Sequence, residues 1–223
     1  MLNSLFNLEL RGYNVPMEQD KHRLMTSLEH HGIFSKAVLQ AMGNVPRELF
    51  IPPEERSLAY FDHPLPIGCG QTVSQPFTVA FMAQLLDIKP GHTVLEIGAG
   101  SGYNAAVLQE ITGPSGKVYS IERIPELVLR AQENLHHAAY PDVTVVQGDG
   151  KEGLAEHAPF DRIMVTAQGP HIPPPLIYQL KIGGILVMPV SSHGSASMTC
   201  LVKHEKEPHS ISTHGAFYFV PLL

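Results

Sequence analysis

The sequence predicts an α/β protein: an open, doubly wound sheet, mostly parallel with an antiparallel edge, preceded by an N-terminal helical extension. Three observations predict it. From Lys89 onward, short apolar segments alternate with helically periodic ones. A glycine-rich turn, Gly98-Ala99-Gly100-Ser101-Gly102, joins the first such strand to the next helix. Residues 1–66 instead carry helical patterning broken by Pro16, Pro46, Pro52, Pro53, Pro64 and Pro66.

The elements follow in order. Glu18 to Met42 reads as one or two helices, with Leu24, Leu28, Val38, Leu39 and Met42 at helical spacings. Asn44-Val45-Pro46 ends that stretch, because the residue before a proline avoids the helical region. Ile67 to Gln71 reads as a loop feeding a helix from about Pro76 to Leu86, capped by Ser74 or Gln75 with proline in its first turn. Then come a strand at Thr93–Ile97, a helix at Asn104–Ile111, a strand at Lys117–Glu122 and a helix at Glu126–His137. Strands at Val143–Gln147 and Arg162–Thr166, a short helix at Pro173–Leu180 and a strand at Gly184–Pro189 continue the alternation. Met198–His204 and Ala216–Val220 are strands without a helix between them, which predicts an antiparallel edge hairpin. Crossover helices between the other strands imply a parallel sheet covered on both faces.

Composition excludes several classes. The chain has 223 residues, 15 Lys+Arg against 21 Asp+Glu, and a formal net charge of -6. That balance argues against a protein that coats phosphate backbones, and Arg47 and Lys181 stand isolated, so no nucleic-acid partner is expected. No apolar run approaches the roughly 20 residues of a membrane helix, so no membrane partner is expected. The start, MLNSLFNLEL, lacks a basic region and is a poor signal peptide. Cys69 and Cys200 are far apart and read as free thiols in a reducing cytoplasm. The paired histidines His30-His31 and His136-His137 point apart on helices, and His204, His209 and His214 lack acidic or cysteine partners; no metal site is expected.

The candidate binding residues lie at strand ends, where open parallel sheets take ligands. Gly98, Gly100 and Gly102 permit a tight turn and close backbone approach. Their spacing departs from the dinucleotide fingerprint, because Tyr103 stands where its last glycine would fall. Glu96 precedes the turn, Glu122 closes the next strand, and Asp149 follows the third inside Gly148-Asp149-Gly150. An acid about 20 residues past such a turn suits the two hydroxyls of a ribose. Three acids and no lysine at the turn argue against a pyrophosphate. Each acid also has a plain reading: Glu96 a turn cap, Glu122 a solvated strand end, Asp149 a turn residue.

Val94 to Tyr103, VLEIGAGSGY, resembles the first motif of the S-adenosylmethionine-dependent methyltransferases of the Rossmann-like class. The chain from about Arg11 to Leu222 is similar, more closely, to the protein-L-isoaspartate (D-aspartate) O-methyltransferase family. Ile67–Ala80 (IGCGQTVSQPFTVA), Gln147–Gly153 (QGDGKEG), Ala158–Pro170 (APFDRIMVTAQGP), Gln179–Val190 (QLKIGGILVMPV) and the stretch Val45–Pro52 carry the likeness. The first of these is the most discriminating, since the glycine turn is common to methyltransferases in general.

The resemblance implies a single methyltransferase domain over 1–223, with 1–88 as helical extension and substrate loop and 89–223 as the cofactor-binding sheet. It implies S-adenosyl-L-methionine as cofactor, S-adenosyl-L-homocysteine as product, and methylation of the free carboxylate of isoaspartyl residues in damaged proteins, as a cytoplasmic monomer. It puts Ser74 at the catalytic position, donating to the substrate carboxylate, with Thr72 and Val73 assisting. Gln75 and Pro76 would line the cofactor pocket, with Gly98, Gly100 and Gly102 forming the turn. Glu96 would support the methionine end or the turn, Glu122 the ribose, and Asp149 and Gly150 the adenine. A methyltransferase acting on a small molecule, and a cofactor-binding adaptor without turnover, are the alternatives. Two departures from the family stand out. Gln168, within Ala167-Gln168-Gly169, would reshape the substrate side, and family residues that contact the cofactor after the Val220-Pro221-Leu222 segment are expected to be missing.

Overall fold

The periodicity between Glu18 and Met42 resolves into two helices, α1 (17–30) and α2 (Lys36–Asn44), in a computed structural model that describes residues 17–192 and 195–222. The N-terminal stretch read as a poor signal peptide, with Arg11 and Pro16, lies outside the described residues, as does Leu223. Ser35 caps α2, its hydroxyl accepting from the Val38 N–H at 3.4 Å. Short 3-10 turns at Arg47–Phe50 and Pro53–Leu58 follow, shaped by the prolines that end the helical pattern.

The segment read as a loop forms a small antiparallel hairpin, β1 (Leu65–Gly68) with β2 (Gln71–Val73). Its turn needs left-handed backbone at Cys69 and Gly70, with φ of 53° and 68°. Strands of four and three residues, the first interrupted by a proline, carry too little alternation to be seen in the sequence. The helix α3 (Pro76–Leu86) has the expected bounds, and Gln75 occupies its cap position. The Gln75 side chain does not cap it. Asp62 does so instead: its Oδ1 accepts from the Phe77 N–H at 2.8 Å, and its Oδ2 from Gln75 Nε2 at 3.1 Å.

The main sheet has seven strands in the order β5-β4-β3-β6-β7-β8-β9. They are β3 (Thr93–Ile97), β4 (Lys117–Glu122), β5 (Thr144–Gln147), β6 (Phe160–Val165), β7 (Leu180–Ser192), β8 (Ser195–Val202) and β9 (Ser210–Phe217). Strands β5 to β7 in that order pair in parallel, whereas β7-β8 and β8-β9 pair antiparallel. Helices α4 (Tyr103–Thr112), α5 (Pro125–His137) and α6 (Pro174–Gln179) fall between strands as the alternation predicts. The final strand is displaced from the expected Ala216–Val220. Strand β9 is an edge, mostly exposed along its length, so no apolar pattern marks it.

Successive residues of one strand enter opposite apolar clusters, the mark of a sheet buried on both faces. Val94, Met164 and Val187 join the cluster containing α2 to α5 residues. Their neighbours Leu95, Ile163 and Leu186 join the cluster with Leu176 of α6. The chain runs outward from β3 through β4 to β5, then returns to β6 on the other side of β3. That reversal opens a crevice at the carboxyl ends of β3, β4 and β6.

Candidate active site

A cavity of about 490 Å³ occupies this crevice. Its floor is the turn after β3. Gly98 takes a φ of 98°, and a Cβ there would lie 2.4 Å from Thr166 Oγ1. The Thr166 hydroxyl sits 2.9 Å from the Ile97 carbonyl and 3.0 Å from the Gly98 carbonyl. Only glycine fits both the backbone and the contact. Gly150 approaches from the loop after β5, where a Cβ would meet Ile97 Cγ2 at 2.1 Å. Gly98, Gly100 and Gly150 line the cavity. Gly102 lies outside its lining, capping α4 and packed against Leu135 and Ala131 of α5.

Glu122, at the end of β4, is 6% exposed and lines the cavity. Its Oε2 accepts from the Gly100 N–H at 2.9 Å and its Oε1 from the Ile124 N–H at 3.0 Å. Each carboxylate oxygen has two lone pairs, so acceptor capacity remains for a ligand.

Two acids expected beside it are arranged otherwise. Glu96 is fully buried within β3 and does not line the cavity. Its Oε2 accepts from Ser120 Oγ on β4, and its Oε1 has no partner. Burial, with the Glu122 charge adding to it and the Ser120 hydrogen bond opposing, pushes its carboxyl up to about 8. The alternation of a strand explains the difference: Ile97 reaches the cavity, so its neighbour Glu96 points elsewhere. The Asp149 side chain is half-exposed, accepts from the Lys151 N–H at 2.9 Å, and is absent from the cavity wall that Gly150 helps to form.

The hairpin covers one side. Thr72, Val73 and Ser74 line the cavity. Beyond them lies a second cavity of about 830 Å³, with Phe77, Phe81, Phe217 and Phe219 in its walls. Thr72, Ser74, Thr166 and Val220 line both, so the cavities meet there. Gln75 faces the second cavity and not the first; Pro76 is buried and lines neither.

The C-terminal segment forms part of the wall through Val220, Pro221 and Leu222. Backbone bonds hold it: the Gln168 N–H donates to the Val220 carbonyl at 2.8 Å, and the Leu222 N–H to the Gln168 carbonyl at 2.7 Å. Gln168, expected to reshape the substrate side, lines neither cavity. Sequence reasoning missed Thr166 and the tail. The same strand-end rule that found Glu122 could have found Thr166, but nothing local marks Val220 to Leu222.

A model of the family described as protein-L-isoaspartate(D-aspartate) O-methyltransferase matches residues 18–223. Proteins named protein-L-isoaspartate O-methyltransferase are similar throughout. That of Methanothrix thermoacetophila is 50% identical, over 91% of this chain and 94% of its own. That of Ignicoccus hospitalis is 47% identical, over 93% of this chain and 99% of its own. A solved protein-L-isoaspartate O-methyltransferase superposes with a TM-score of 0.82 at 28% identity, covering 90% of this chain and 65% of that one. A putative Plasmodium falciparum protein-L-isoaspartate O-methyltransferase, solved in complex with S-adenosyl-L-homocysteine, shares the fold at TM-score 0.80 and 24% identity, covering 90% of this chain and 97% of its own. With the matched length and the identity both this high, the chain belongs to the protein-L-isoaspartate (D-aspartate) O-methyltransferase family.

Proposed function

We propose that this protein transfers a methyl group from S-adenosyl-L-methionine to the free carboxylate of isoaspartyl residues in damaged proteins, initiating their repair. The observation that carries the reading is the meeting of two cavities at Thr72, Ser74 and Thr166. One lies over the glycine turn with Glu122 in its wall, and the other is a larger aromatic-walled groove.

The first cavity suits the cofactor. Glu122 keeps acceptor capacity for the ribose hydroxyls, and its anionic character favours a cationic ligand over a phosphate. Gly98 and Gly100 let the backbone approach the methionine end, and Gly150 gives the adenine a flat wall. Gly102 and Glu96 support the turn from behind it. Asp149 acts through its loop. When bound, the cofactor supplies an already activated methyl group on a sulfonium.

The acceptor needs little activation. A carboxylate with an ordinary pKa near 4 is ionised at neutral pH and attacks without a general base. What the protein supplies is alignment and exclusion of water, worth up to roughly 7–11 kcal/mol in favourable cases. In this reading Ser74 donates its hydroxyl proton in a hydrogen bond to one carboxylate oxygen and leaves the other aimed at the first cavity. Thr72 and the backbone at Val73 hold the same group. Gln75 borders the acceptor groove.

We read residues 1–88 and 89–223 as one domain, since the hairpin and the sheet enclose the same crevice. We also read the protein as a monomer. Free thiols at Cys69 and Cys200 support residence in a reducing cytoplasm. Among the described residues no helix is long and apolar enough to cross a membrane.

The test uses methyl-labelled S-adenosyl-L-methionine and two peptides differing only in isoaspartyl or aspartyl linkage. Label is expected on the isoaspartyl peptide alone. Cofactor binding without transfer to it would overturn the reading.

A further inference from the structure

We propose that Arg47 is a positioning residue for methyl transfer, holding Ser74 and Tyr103 in fixed relation where the hairpin meets the sheet. The inference rests on the reading of Ser74 as the residue that contacts the acceptor carboxylate.

Arg47 opens the first 3-10 turn and is 0% exposed. Its Nε donates to the Ala59 carbonyl at 2.9 Å, and its Nη2 donates to the Ser74 carbonyl at 2.8 Å. The guanidinium carbon lies 4.6 Å from the centroid of the Tyr103 ring. Tyr103 begins α4 and lines the first cavity, while Ser74 lines both. One side chain therefore touches the acceptor loop and the cofactor wall together.

Stability alone is a poor reason for this arrangement. Taking a guanidinium out of water is costly, and a buried cation is ordinarily matched by a carboxylate. Among the described residues Arg47 forms no ion pair, and its Nη1 is buried without a hydrogen-bond partner. Burial holds its pKa below the usual arginine value, with Tyr103 opposing that shift. An apolar side chain of similar volume would fill the space without the desolvation. What an arginine adds is a rigid planar fork with several donors in set directions. Here the fork spans Ala59 and Ser74, and its face rests on Tyr103.

The charge itself is not the source of rate. The reaction joins an anion to a cation and forms neutral products, so the acceptor loses negative charge on the way to the transition state. A positive group nearby favours the bound carboxylate over that state. Arg47 accelerates transfer by geometry: Ser74 immediately precedes Gln75-Pro76 at the entry to α3, and its carbonyl anchors the segment that carries its hydroxyl.

The experiment compares R47M, R47K, S74A and the doubles R47M/S74A and R47K/S74A. R47M keeps the volume and R47K the charge, and both lose the fork. Unfolding by denaturant and binding of S-adenosyl-L-homocysteine establish which variants fold with an intact first cavity. In folded variants kcat for an isoaspartyl peptide is expected to fall about 10- to 100-fold, the scale of a misaligned reactant. In the S74A background the same substitution is expected to change kcat less than about 2-fold, because interacting residues are non-additive. An equal fall in both backgrounds, an unchanged kcat, or failure of both variants to fold overturns the proposal. If S74A alone turns over like the parent, the Ser74 reading fails and the inference fails with it. If S74A is slow but the effects add, only the Arg47 inference fails.

Discussion

The Glu122 carboxylate accepts the Gly100 N–H at 2.9 Å, tying the end of β4 to the turn after β3. A single side chain thus shapes the glycine turn and presents acceptor atoms to the cavity. The arrangement explains why an acid stands at that strand end, where a solvated residue would otherwise suffice. Replacing it with alanine removes both roles. Binding of S-adenosyl-L-homocysteine by Glu122→Ala, measured by calorimetry, should weaken by about 1–3 kcal/mol, the scale of hydrogen bonds to a charged group. Unchanged affinity would remove Glu122 from the ribose role.

Ser74 lines both cavities, whereas Glu122 lines only the first. The two substitutions should therefore separate. Ser74→Ala is expected to leave cofactor affinity largely intact, because its hydroxyl is assigned to the acceptor carboxylate. Its kcat for an isoaspartyl peptide should fall clearly. Equal turnover would reduce Ser74 to a loop residue.

Gly98 has no room for a methyl group. At φ 98°, with Thr166 Oγ1 2.4 Å from the Cβ position, Gly98→Ala must shift either the turn or β6. Denaturant unfolding should show a loss of about 1–3 kcal/mol from the strained backbone. Thr166→Ser in that background keeps the clash and should not restore stability, whereas Thr166→Ala removes the hydroxyl and should restore part of it. No initial loss, or no recovery with Thr166→Ala, would contradict the contact.

Glu96 makes stability depend on pH. Its carboxyl ordinarily titrates at 4.5 and is raised to about 8 in the folded protein. The folded state therefore holds its proton more tightly than the unfolded state. The contribution is fully present below 4.5, declines as pH rises towards about 8, and is lost above that. Glu96→Gln keeps the shape without the proton. Relative to the parent, the variant should gain unfolding free energy steadily from pH 5 to pH 8. A constant difference across that range would show that Glu96 titrates normally.

Asp62 supplies the cap that Gln75 does not. Asp62→Ala should cost about 0.5–2 kcal/mol, the usual scale for losing an N-terminal cap. Thermal unfolding measures it, and Asp62→Asn should recover most of the loss.

The alternation from β3 to α6 was legible because each element is local. A strand such as Thr93–Ile97 or a helix such as Pro125–His137 declares itself through its own periodicity. Strand β9 begins several residues before its sequence suggests, because an exposed edge needs no apolar face. The hairpin Leu65–Val73 looks like loop in the sequence because its pairing is so short.

The site divides along the same line. The glycine turn, the acid at Glu122 and the loop carrying Ser74 are legible along the chain, since each sits next to a recognisable strand or helix end. Which side of β3 Glu96 faces is settled by packing, because one residue of alternation turns a side chain from cavity to core. Tertiary structure likewise brought Thr166 and Val220 to Ser74, set Asp62 on α3 from 15 residues away, and buried Arg47 beneath the acceptor loop. Those contacts join residues far apart along the chain. Their free energy arises only once the sheet has closed the loops between them, so no local pattern records them.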